Sequence, residues 1–317
     1  MRIIGILIGF MLVIALSATA QDDDLARKSG FINVPGGPVW YEIMGAGEHA
    51  PLVILHGGPG GTSCSLQVLA PLGVERAVIR YDQLGSGRSG RPAESSLWNR
   101  DRFVAELDAL RAELGLTQIH LLGHSWGGAL AAYYVLETGG EGVLSLTLSS
   151  PLISTPRWIE DANILRAELP DDVQAVLTAE EQASSTNSEA YQQATNEFYK
   201  RYFTRGEPTE DYSCPDAPRN PVIYEQMWGP TEFYATGSLK DFDLTPRLKN
   251  ITVPTLFVTG EFDEARPETI REFAAEIPRA HMIVIPGVGH ASYSREPDLY
   301  REMVKDFINS MEPAPAD

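Results

Sequence analysis

Three side chains in this 317-residue sequence have the types and settings that nucleophilic catalysis requires: Ser125, Asp263 and His290. Ser125 stands in Gly123-His124-Ser125-Trp126-Gly127, between the short apolar run 119–122 and the small-residue stretch 128–134. A serine on a sharp strand-to-helix turn flanked by glycines has its hydroxyl pushed out to where a substrate can reach it. A hydroxyl is a poor nucleophile until a base takes its proton, so Ser125 needs an imidazole and a carboxylate to orient that imidazole. His290 follows the apolar run 282–285 in Pro286-Gly287-Val288-Gly289-His290, and Asp263 follows 255–258 in Gly260-Glu261-Phe262-Asp263. Taken singly, His290 reads as a capping or surface residue and Asp263 as a helix N-cap ahead of Pro267. Their joint placement after consecutive late strand-like runs reads instead as base and acid for Ser125.

Acyl transfer also needs N–H donors for the oxyanion that forms during attack. The backbone N–H of Trp126, directly after the nucleophile, is one candidate. The second comes from a loop after an early strand, and His56-Gly57-Gly58-Pro59-Gly60-Gly61 follows the apolar run 52–55, which assigns that role to Gly58. The turn-rich segment 82–89 reads as structural, a set of tight turns and local hydrogen bonds. Two cysteines and six scattered histidines have no metal-ligand spacing, so no metal and no other cofactor is expected. A net charge of -18 argues against nucleic acid and anionic membrane surfaces as partners, because both demand basic patches.

The elements that must position these residues are legible as apolar runs. Strand-like segments occur at 31–34, 38–44, 52–55, 77–81, 119–122, 144–148, 255–258 and 282–285, and the later ones alternate with helical patterns such as 101–114 and 267–277. This is the pattern of a mostly parallel sheet flanked by helices, opened by an antiparallel hairpin at Pro35-Gly36-Gly37. Between 151 and 249 the strand rhythm stops, and helical patterns at 161–169, 172–182 and 188–203 read as a helical cap over the carboxyl edge of the sheet. The expected organisation is a signal peptide at 1–20, a first core part at 21–150, the cap at 151–249, a second core part at 250–311 and a disordered tail at 312–317. Arg2, the apolar run 3–16 and Ala18-Thr19-Ala20 predict cleavage near Ala20 and export to the periplasm or the medium, with no stable membrane insertion afterwards. Export would permit a disulfide. Cys64 and Cys214 lie far apart in the sequence, however, and nothing in it brings them within bridging distance, so the sequence leaves their pairing open. Oligomeric state has no readable signal.

The chain order Ser, Asp, His is that of the α/β-hydrolases. His56-Gly57-Gly58-Pro59-Gly60, taken with Gly123-His124-Ser125-Trp126-Gly127-Gly128, Tyr81-Asp82-Gln83 and Trp228-Gly229-Pro230-Thr231-Glu232-Phe233, resembles the proline iminopeptidase family of that fold across residues 31–308. The resemblance implies a serine aminopeptidase that releases an N-terminal residue, often proline, from short peptides with a free N-terminus. It further implies that Glu232 and Glu264 hold the substrate's ammonium. Trp228 and Phe233, with Trp126 and Tyr234, are expected to supply an apolar pocket for a proline ring. The stretch 205–220 departs from the family pattern, lacking the Trp-Pro element of many relatives, so reaction type is better specified than substrate preference. The rival readings are an amidase or carboxylesterase using the same three residues, and a non-catalytic binding protein on the same fold.

Overall fold

The computed structural model describes residues 25–209, 212 and 214–313. The export signal read at 1–20 lies outside the described residues. Eight strands form one sheet: β1 (Arg27–Val34), β2 (Gly37–Met44), β3 (His49–Leu55), β4 (Arg76–Tyr81), β5 (Ile119–His124), β6 (Val143–Ser149), β7 (Thr255–Gly260) and β8 (Ala280–Ile285). Their spatial order is β1-β2-β4-β3-β5-β6-β7-β8. β2 pairs antiparallel with both β1 and β4, and every pairing from β4 to β8 is parallel. The sequence-predicted strands and opening hairpin all appear, the strands lengthened by one to four residues.

Parallel strands buried on both faces are apolar throughout, and alternate residues serve opposite faces. Val53, Leu55, Leu121 and Phe257 face a core shared with α1 (Arg100–Glu113), α2 (Trp126–Thr138) and α7 (Pro267–Glu276). Leu52, Ile54, Leu122, Leu256 and Val258 face a second core, closed by the 3-10 segment Ser63–Val74, α8 (Ser292–Arg295) and α9 (Pro297–Ser310). β5, which leads to Ser125, is central and buried along its whole length. α1 starts where the side chain of Asn99 accepts a hydrogen bond from the Arg102 N–H, and α2 stops at Gly139 in the left-handed conformation.

Between β6 and β7 the chain is helical: α3 (Thr155–Arg166), α4 (Asp171–Gln182), α5 (Glu189–Tyr202) and α6 (Pro221–Met227). This cap has two anchorages. Trp158 of α3 and Ile223 and Met227 of α6 join the core under α2, while Leu177, Tyr191, Phe198 and Tyr202 form a small core of the cap's own. A disulfide joins Cys64, in the 3-10 segment, to Cys214, in the cap, with Cα atoms 5.9 Å apart. The pairing that the sequence leaves open is thus decided by the tertiary fold: the cap folds back over the sheet and cancels a separation of 150 residues.

A second correction concerns Glu312, assigned from sequence to a disordered tail. Its carboxylate accepts from the Nη1 of Arg76 at 2.6 Å, with the Nε2 of His120 at 3.0 Å, so it ties the end of α9 to β4 and β5. Arg76 is buried, which makes this carboxylate its necessary counter-charge. We expect Glu312→Ala to cost about 3 kcal/mol in urea unfolding at unchanged m value, because it strands the guanidinium in the interior. A loss below about 0.5 kcal/mol would return Glu312 to a loose tail.

Candidate active site

Ser125 links β5 to α2 with φ 58° and ψ -123°, a conformation that costs an L-residue energy and persists only where the surroundings impose it. Its N–H donates to the Ser149 carbonyl at 2.9 Å, and its own carbonyl accepts from the N–H groups of Gly128, Ala129 and Leu152. The flanking glycines are required sterically. A Cβ at Gly123 would lie 2.0 Å from the carbonyl oxygen of Gly127, and one at Gly127 would lie 2.2 Å from that of Leu55. Small residues therefore let the strand, the turn and α2 approach closely enough to enforce the exposed serine.

Asp263, in the loop after β7, accepts from every side. His290 Nδ1 lies 2.8 Å from Oδ1, which also takes the Ala265 N–H at 2.8 Å. Oδ2 accepts from Ser150 Oγ at 2.5 Å, Thr259 Oγ1 at 2.9 Å and the Gly260 N–H at 3.2 Å. Burial acts to raise this carboxyl, but the charge of His290 and these hydrogen bonds together hold it below the ordinary aspartate value. His290 is clamped by rings: His124 at 4.7 Å, Phe203 at 4.9 Å and Trp158 at 5.7 Å between centroids. His124, held well below the ordinary histidine value by burial and by the charge of His290, is a neutral neighbour.

Ser125 and His290 line one cavity of about 160 Å³, together with Gly57, Gly58 and Glu232. Among the described residues Ser125 Oγ makes no hydrogen bond to the imidazole, the looseness common before a substrate is seated. The N–H groups of Gly58 and Trp126 likewise donate to no protein acceptor among the described residues, which leaves both for an oxyanion. A buried relay couples the two loops that carry them. His56 Nε2 accepts from the Gln83 N–H at 2.9 Å, Gln83 Nε2 donates to the His56 carbonyl at 2.9 Å, and Gln83 Oε1 accepts from the Trp126 indole at 3.0 Å. Gly58 and Pro59 are joined by a cis peptide bond.

Residues 50–297 match the family model of the alpha/beta hydrolase fold. A proline iminopeptidase of Heyndrickxia coagulans is 42% identical over 285 residues, spanning 89% of this chain and 99% of that relative. One of Clostridium botulinum is 35% identical over 275 residues, 85% of this chain and 94% of the relative. The chain belongs to the proline iminopeptidase family of α/β-hydrolases. The crystal structure of the proline iminopeptidase of Mycobacterium smegmatis, 33% identical, superposes with a TM-score of 0.80 over 90% of this chain and 98% of that one.

The proline iminopeptidase resemblance singled out Glu232 and Glu264, and both stand at the imidazole. Glu232 lines the cavity and accepts from the Tyr224 hydroxyl at 2.5 Å. Burial raises its carboxyl, against the opposing effects of that hydrogen bond and the charges of His290 and Arg219. Glu264 is fully buried, its Oε1 3.8 Å from His290 Nδ1, and neither carboxylate oxygen has a hydrogen-bond partner among the described residues. Burial first, then the charges of Glu232 and Asp263, push it well above the ordinary glutamate value.

The aromatic assignments are corrected. Phe233 belongs to the cap's own core, edge-on to Tyr191 and Phe198 and under the guanidinium of Arg166. Trp126 is buried on Gln83 and Phe103. Trp228 reaches the imidazole only through Trp158, with its indole N–H donated to the Thr231 carbonyl, and Tyr234 lines neither this cavity nor the larger one beside it. The rings that do line the cavity with Ser125, namely Phe203, Tyr224 and Tyr293, were missed because no motif marks them. Among the described residues no group of three or more His, Cys, Asp or Glu side chains is placed to hold a metal ion, and no helix is long and apolar enough to cross a membrane.

The Glu264 environment sets a pH dependence. A carboxyl raised in the folded state contributes stability that is complete below its unfolded value, near 4.5, and is lost as pH rises toward the folded value. Glu264→Gln removes that loss, so the melting temperature of the variant minus that of the parent should grow between acid and neutral pH. A difference constant with pH would show that Glu264 is not held protonated by its surroundings.

Proposed function

We propose that this protein is an exported serine aminopeptidase that releases an N-terminal residue, proline foremost, from short peptides. Ser125 Oγ attacks the first peptide carbonyl while His290 takes its proton, and Asp263 holds the imidazole in the tautomer with Nδ1–H. The Gly58 and Trp126 N–H groups receive the oxyanion. His290 then returns the proton to the departing amine, and water hydrolyses the acyl-enzyme by the same route.

The observation that carries the exopeptidase reading is the buried carboxyl of Glu264, which has no hydrogen-bond partner among the described residues and lies by the imidazole that shares a cavity with Glu232. Glu232, half-buried, and Glu264, fully buried and without a hydrogen-bond partner among the described residues, are two acids beside the scissile-bond site whose charged forms burial penalises. A substrate ammonium supplies the missing positive charge and, by binding there, places the first carbonyl against Ser125. The same pocket leaves no counterpart for an N-blocked substrate, which argues against an amidase or carboxylesterase acting on neutral compounds. The identity to named proline iminopeptidases along most of the chain supports the proline preference. Export is supported by the signal-like first 20 residues and by the pairing of Cys64 with Cys214, since disulfides persist in oxidising compartments.

A panel of prolyl and alanyl naphthylamides, each free and N-acetylated, tests this directly. Free prolyl substrate should dominate and both acetylated forms should be inert; turnover of the blocked forms at comparable rates would replace the aminopeptidase with an esterase-like enzyme. Ser125→Ala should lower kcat by a factor on the order of 10⁶. Glu232→Gln should reduce kcat/KM on free-amine substrates by about 100-fold while a simple aryl acetate loses far less. Equal losses on the two would remove Glu232 from amine binding.

A further inference from the structure

Beside the cavity at Ser125 lies a larger chamber of about 900 Å³, walled by α5, the Pro59-Gly60 loop and the segment leading into α6. The inner cavity, about 160 Å³, is below the range of roughly 300–1,000 Å³ typical of sites for drug-sized ligands, so it suits a single residue. The rest of a peptide must cross into the outer chamber. Four side chains line both spaces and so mark the passage: Phe203, Arg219, Tyr224 and Glu232.

We propose that Arg219 is a specificity-determining residue that receives the C-terminal carboxylate of a dipeptide whose ammonium sits at Glu232. The proposal rests on the aminopeptidase reading and names a substrate class for it. In a dipeptide the carboxylate follows the scissile bond by one residue, about 3.8 Å of chain, which brings it to this passage. Of the four side chains there, Phe203 is apolar, Tyr224 has its hydroxyl committed to Glu232, and Glu232 repels an anion. Arg219 is the cation, and it makes no ion pair among the described residues. The other cation of the outer chamber, Lys200, is paired with Glu197 at 2.7 Å.

The backbone on either side of Arg219 is built to hold it. Pro218 accepts from the Gly87 N–H at 3.1 Å and from the Arg91 guanidinium at 2.6 Å. Asn220 donates its N–H to the Gly60 carbonyl at 2.8 Å and its side-chain amide to the Gly85 carbonyl at 2.7 Å. Upstream, Asp216 accepts a forked pair of hydrogen bonds from Arg88, and Cys214 is bonded to Cys64. Core loops thus immobilise the segment around one exposed, uncommitted guanidinium, and such preorganisation lowers the cost of binding a carboxylate. This segment lies within the stretch that departs from the family pattern. Its charge complements that of Glu232, which lines the same passage, as a zwitterionic dipeptide requires.

The test compares kcat/KM for Pro-Gly, Pro-Gly amide and prolyl naphthylamide in the full chain and in Arg219→Gln. The parent should favour the free acid over its amide by about tenfold or more, expressed mainly in KM. In Arg219→Gln that ratio should fall toward one, with a loss on Pro-Gly at least about fivefold greater than on the naphthylamide, and Arg219→Lys should retain part of the ratio. An acid-to-amide ratio near one in the parent would overturn the proposal. So would equal losses on all three substrates in Arg219→Gln, which would make Arg219 only a charge balancing Glu232. Failure of the parent to cleave the naphthylamide would instead sink the aminopeptidase reading itself.

Discussion

The backbone of Ser125, held at φ 58°, is the constraint to which the surrounding structure answers. Such a turn stores strain and survives only if strand, helix and neighbouring loop leave it no alternative. Gly123 and Gly127 allow the close approach, the small residues at the start of α2 lie directly on the sheet, and the Ser125 carbonyl is satisfied from both α2 and Leu152. The His56–Gln83–Trp126 relay then fixes the glycine loop to the turn, so the two free N–H groups and the hydroxyl share one rigid frame.

Asp263 and Glu264 are neighbours in the chain and opposites in environment. The aspartate is surrounded by donors and stays charged, as a partner for His290 must. The glutamate is just as buried and has none among the described residues, so its charged form is penalised. Environments that push adjacent carboxyls apart commonly divide their roles. Here one is hydrogen-bonded to the imidazole and the other is a carboxyl costly to charge; in the function proposed above that cost is what a substrate ammonium relieves, a trade of folded-state stability for substrate binding.

The cap reaches the site by two kinds of attachment. Apolar packing of Trp158, Ile223 and Met227 on the main core seats it, and Trp158 itself buttresses the imidazole. The disulfide and the hydrogen bonds around Pro218 and Asn220 then align its connecting segment with the Gly60 loop. Tyr224, on the short helix α6, completes the arrangement by holding Glu232.

Ser125, Asp263 and His290 were legible in the sequence because each follows an apolar run that can only be a buried strand, and a parallel sheet brings such strand ends to one edge. The eight strands and the glycine loop were legible for the same reason. The roles proposed for Glu232 and Glu264 came from family motifs, and tertiary structure alone revealed the electrostatic environment the two share. Phe233 shows the limit. It is adjacent to Glu232, yet the turn closed by the Tyr234 N–H on the Thr231 carbonyl sends the two side chains to different surroundings. Tyr224, Trp158 and Arg219 carry no motif, since their positions depend on how the cap folds back, not on any local period, and Ser150 reaches Asp263 only because β6 pairs with β7. Cys64 with Cys214 and Arg76 with Glu312 are pairs of the same kind. Local patterns determined the elements and the reacting groups, whereas contacts between segments remote in the chain decided which charges are satisfied and which await a substrate.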